Sequence, residues 1–89
     1  MKESYLEVTF RRGRPIAAYY YLPRSPGQKS YRTVLVGPGM LIDLSRNGKP
    51  LGIEISAPTL VSQAALNRVL KQYGQSPIKR ADLAPLKAA

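Results

Sequence analysis

The chain has 89 residues, enough for one domain with one core, and at this size folding buries only roughly 60–65% of the unfolded surface. Fourteen Lys and Arg against five Asp and Glu leave a net charge of +9, a field that attracts polyanions, acidic proteins and anionic surfaces without naming one. Cys and His are both absent, which excludes disulfides, ordinary zinc sites, imidazole bases and Cys- or His-containing triads; catalysis would fall to carboxylate, Lys, Tyr, Ser and Arg.

No apolar run approaches the ~20 residues of a membrane span, and Met1-Lys2-Glu3-Ser4 lacks a signal-peptide core. A cytoplasmic protein without membrane association is the expectation.

Residues 5–10, YLEVTF, alternate, with Leu6, Val8 and Phe10 on one face and Tyr5, Glu7 and Thr9 on the other, as in a half-buried strand. Arg11-Arg12-Gly13-Arg14 reads as a turn, and Pro15 marks the edge of the β-rich run 16–22, whose tyrosines split between faces as Tyr19 and Tyr21 against Tyr20. Residues 23–30, PRSPGQKS, form a loop. A third strand, 31–36, stops at Gly37-Pro38-Gly39, and strands four and five, 40–45 and 51–56, flank Arg46-Asn47-Gly48-Lys49. Asn-Gly is a strong hairpin signal and predicts a type I′ turn, in which both central residues have positive φ.

Beyond residue 57 the period changes. Pro58 suits a first helical turn, Val61, Ala65, Leu66, Val69, Leu70 and Tyr73 form an apolar stripe, and Gly74 is the expected stop, predicting a helix over about 58–73. A single packing helix is more economical than a helix-turn-helix across 58–84, because the second segment holds Pro77 and Pro85 and has no clear period. The expected organisation is one compact domain over 1–74 and a poorly ordered or short-helical tail over 75–89, with Pro85 and Ala88-Ala89 favouring fraying. The fold class is α+β: a four- to five-stranded antiparallel β-meander with one amphipathic helix packed on one face.

The hairpin carries two of the five acids. With Asn47-Gly48 as its loop, Asp43 faces Gly52, Glu54 faces Leu41, Ile42 pairs with Ile53 and Leu44 with Leu51. Asp43 and Glu54 then share the outward face as diagonal neighbours, roughly 7–8 Å apart at the backbone. An acid/base pair or hard-cation site would use such a placement, but alternation alone explains it, so both are expected to be solvated polar facing, with no catalytic, cofactor or metal role. Gly52, in mid-strand, implies a bulge or a close neighbour, best supplied by tyrosines of an adjacent strand lying flat over the sheet.

The stretch GMLIDLSRNGKPLGIEIS, with IAAYYYL before it, resembles the small prokaryotic YuzE-like family, a domain of unknown function, over about residues 5–56. Asp43, Gly48, Gly52, Glu54 and Tyr20 or Tyr21 match its pattern. The turn is basic where the family's is acidic, and Ala17 or Ala18 replaces an acid common before the tyrosine strand. The resemblance implies a compact β-rich domain with no established activity and, by analogy, an antitoxin-like or accessory role.

Two kinds of partner follow from the residues. Loop 23–30, tail 75–89 and spare edge strands suit a protein partner or a homodimer. Arg11, Arg12, Arg14 and Arg24, with Tyr19 and Tyr21, form a basic and aromatic set that could hold single-stranded nucleic acid, without sequence preference, by stacking over a positive groove.

Overall fold

The computed structural model describes residues 3–25 and 27–87. Five antiparallel strands form one open sheet: β1 (Tyr5–Arg11), β2 (Arg14–Tyr21), β3 (Arg32–Gly37), β4 (Met40–Leu44) and β5 (Pro50–Ile55). A single 3-10 turn (Pro58–Leu60) and helices α1 (Gln63–Gln72) and α2 (Arg80–Lys87) follow. This is the expected α+β class.

The strand order, β1-β2-β5-β4-β3, departs from a continuous meander at one point. Strands 3, 4 and 5 do form consecutive hairpins, but β5, not β3, joins β2, with Ala18 opposite Ile55, Tyr20 opposite Ile53 and Tyr21 opposite Gly52. This order centres β5, four of whose six residues are buried. Leu51, Ile53 and Ile55 are each fully buried there, against Ile42 and Tyr20 on its two neighbours. The loop after β2 is long enough to carry the chain to the far edge.

The 40–55 hairpin has the expected register from Leu41–Glu54 to Asp43–Gly52. Beyond it the register slips, and Leu44 pairs with Pro50 in place of Leu51. The turn explains the slip. Gly48 has φ +84° but Asn47 does not have positive φ, and Gly48 N–H donates to Ser45 O at 2.9 Å. The loop is therefore a type I turn closed by a left-handed glycine, which adds a residue to the connection. Buried Ser45 holds it: its hydroxyl donates to Asn47 Oδ1 at 2.5 Å and accepts from Lys49 N–H at 3.1 Å. The two-residue turn with positive φ throughout occurs instead at Arg12-Gly13 (φ +52° and +77°), between the paired Arg11 and Arg14.

The inner face of the sheet packs against the helices. Leu66, Val69 and Leu70 of α1 are buried with Val61, Leu22, Met40 and Leu44, while Ala65 and Tyr73 lie at the margin. The helix starts later than the period suggests because Ser62 caps it, its hydroxyl accepting from Ala65 N–H at 3.0 Å. It ends at Gly74, where Gln75 N–H bonds Leu70 O and Gly74 N–H bonds Lys71 O.

A second helix joins the one expected. Ile78, Leu83 and Leu86 are buried, and α2 packs against β1 and β2. Pro85 lies inside α2, which costs about 3 kcal/mol. Burial of the three apolar side chains contributes about 1.5–3 kcal/mol each and wins. Asn67 anchors the approach, accepting from Ile78 N–H at 2.8 Å while its amide donates to Ile78 O at 3.3 Å, and Gln63 donates to the same oxygen at 3.2 Å. Ala88 and Ala89, where fraying was expected, lie outside the described residues. Among the described residues no helix is long and apolar enough to cross a membrane.

Candidate functional site

The face of the sheet away from the helices is uncovered, and alternation delivers Tyr5, Glu7, Tyr19, Tyr21, Leu41, Asp43, Gly52, Glu54, Thr33 and Leu35 to it. Tyr5 lies directly across from Tyr21, and their rings stack with centroids 4.5 Å apart and planes at 15°. Tyr19, two residues along β2, meets Tyr21 edge-on at 4.6 Å. The Arg24 guanidinium sits 5.8 Å from the Tyr21 ring centre.

The Tyr19 ring continues across the sheet over Gly52. A Cβ on Gly52 would fall 2.3 Å from the ring and 2.4 Å from its hydroxyl, so only glycine fits beneath it. This is the close aromatic approach expected at that glycine. The hydroxyl reaches Asp43 on the next strand, donating to Oδ2 at 2.7 Å, while Thr33 on β3 donates to Oδ1 at 2.6 Å. One carboxylate thus ties β2 and β3 to β4 across the bare backbone of β5.

Asp43 is half-buried and fully engaged, which corrects the reading of it as solvated polar facing. Its neighbour Glu54 is exposed, as that reading requires. The two acids lie on the same face in the expected diagonal register, but Asp43 is occupied by hydroxyl donors. Among the described residues no three Asp or Glu side chains come together to hold a metal ion. Burial and the bond to Asp43 push the Tyr19 pKa well above the ordinary 10.0. Desolvation and the charge of Glu7, whose Oε1 accepts from the Tyr21 hydroxyl at 3.3 Å, raise that of Tyr21. Both phenols therefore stay protonated and act as donors.

The basic and aromatic set divides. Tyr19 and Tyr21 lie at one end of β2 with Arg24 just beyond it, and Arg14 lies at the other end, five residues before Tyr19, next to Arg11 and Arg12. The aromatic end also carries Glu7, Asp43 and Glu54, so the platform is not a uniformly positive groove.

A further surface escaped the sequence reading. Strand β3 is the edge beside β4, and Leu35 is 70% exposed on it, with Tyr31 just before it 65% exposed under the Arg46 guanidinium. The signal was available in Thr33-Val34-Leu35-Val36-Gly37, a strand with no charge or proline, but its position at the edge was not. No family model, no curated protein and no solved structure matches the chain.

Proposed function

We propose that the protein is a non-enzymatic cytoplasmic interaction module that recruits a protein partner by strand addition to β3. The observation that carries this is the unguarded edge. Sheet edges are ordinarily blunted by charge, proline or cover, and the opposite edge, β1, has Glu7 in mid-strand and α2 packed beside it. From Thr33 to Leu35, ahead of the register shift that precedes Gly37, β3 carries no charge or proline and presents Leu35 on the open face. An added strand would gain main-chain hydrogen bonds from β3 and side-chain specificity from Leu35 and Tyr31.

Charge favours an acidic extended segment. Lys29 precedes the strand, Arg32 opens it, and Arg46 covers Tyr31. The non-enzymatic reading is supported by the site chemistry, since both Asp43 oxygens and the Tyr19 proton are held in internal bonds. The YuzE-like resemblance over residues 5–56 supports an accessory or antitoxin-like role for such a module.

The test is co-purification of the tagged protein with its partner, and light scattering of the isolated chain, each with and without Leu35→Lys. A partner, or a self-associated species, that is lost in Leu35→Lys supports the proposal; the second outcome identifies the partner as another copy. A monomer with no bound protein, or binding indifferent to Leu35→Lys, overturns it.

A further inference from the structure

The β1–β2 hairpin reaches beyond the body of the sheet. β5 pairs with β2 only from Ala18 to Tyr21, and β1 is the outermost strand, so residues 9–17 form a two-stranded arm. The register slips between Thr9 and Phe10, leaving Ile16 without a cross-strand partner of its own. Such a bulge adds local twist and redirects the strand end. Phe10 and Ile16 are 47% and 46% exposed, and Arg11, Arg12, Arg14 and Ile16 line one open depression.

The tip concentrates charge at a conformational cost. Arg12 has φ +52°, the one non-glycine residue with positive φ among those described. A left-handed conformation there costs an L-residue energy that glycine would not incur. Strain at one exposed arginine, flanked by two more, points to use of that side chain. No acidic side chain among the described residues pairs with Arg11, Arg12 or Arg14.

From this we infer that the arm binds duplex DNA, its three guanidinium groups taking backbone phosphates and its ribbon entering the major groove. The planar donor fork of Arg matches phosphate oxygens. Two strands about 4.8 Å apart, with their side chains, fit a groove about 12 Å wide, which admits a β-ribbon. The deep, narrow major groove of an RNA duplex does not. Two exposed apolar side chains are too few for an interfacial membrane anchor, which buries a whole apolar face. This inference is independent of strand addition at β3.

The test uses the full chain and a labelled mixed-sequence DNA duplex of about 20 base pairs, titrated between about 50 and 200 mM salt, where each phosphate contact contributes about −0.9 to the log–log slope. Arg11→Ala/Arg12→Ala/Arg14→Ala is expected to reduce the slope by about two to three, and Arg12→Gly alone by about one while melting no lower than the parent. Arg68→Ala/Lys71→Ala on α1 serves as the control for net charge and should leave the slope nearly unchanged. The inference is overturned by an unchanged slope in the arm variants, by an equal fall in the helix control, or by equal or tighter binding to an RNA duplex or to vesicles containing phosphatidylserine.

Discussion

The Tyr19 hydroxyl donates to Asp43 Oδ2 at 2.7 Å by crossing a strand that offers no side chain at Gly52. The contact joins residues 24 apart in sequence and fixes the order of three neighbouring strands. It is the most specific non-local interaction on the open face.

Gly52→Ala should therefore destabilise the fold through Tyr19. A Cβ 2.3 Å from the ring forces the tyrosine away and breaks the bond to Asp43. Overpacking and a lost charge-assisted hydrogen bond together predict about 2–4 kcal/mol. Urea unfolding of Gly52→Ala, Tyr19→Ala and the double variant would measure this as coupling. Additive effects would show that the ring does not depend on the glycine.

Alkaline pH should expose the same contact. The folded state holds the Tyr19 proton more tightly than the unfolded chain, so this stability is complete below the ordinary value of 10.0 and is lost as pH rises above it toward the folded value. Tyrosinate absorbance should show a late-ionising phenol that disappears in Tyr19→Phe. The stability of Tyr19→Phe should also fall less steeply above pH 10 than that of the parent.

The two hairpin acids should behave differently. Asp43→Asn removes the charge that two hydroxyls address and should cost about 1–2 kcal/mol. Glu54→Gln changes an exposed side chain and should stay within about 0.5 kcal/mol. Thermal or urea melts of the two variants would decide it, and equal effects would place Asp43 back among ordinary surface acids.

Asn67→Ala should release α2 before the rest of the fold. The N–H of Ile78 depends on this side chain, whereas its carbonyl keeps the bond from Gln63, and leaving the N–H unpaired costs about 1–3 kcal/mol where water cannot replace the partner. Amide exchange should accelerate over residues 78–87 while β4 and β5 keep their protection. Uniform acceleration across the chain would mean that the tail unfolds only with the whole domain.

Much of the local structure was legible because side-chain period is a local property. Alternation placed Ile42 opposite Ile53 and Asp43 opposite Gly52, and the 3.6-residue stripe marked Leu66, Val69 and Leu70 as core. The Asn47-Gly48 turn was located correctly, but its type was not, because the buried hydroxyl of Ser45 chooses the longer loop.

The sequence by itself determined four to five antiparallel strands, a helix with one apolar face, the exposed side of Glu54, and a basic chain without Cys or His. Only the tertiary structure decided that β5 sits between β2 and β4, and everything at the candidate surfaces depends on it: Tyr19 over Gly52, β3 at an open edge, and residues 9–17 as a projecting arm. Strand order is a competition among long-range pairings with similar local patterns. It is settled by which strand buries most on both sides, and that quantity belongs to the assembled sheet and to no single segment.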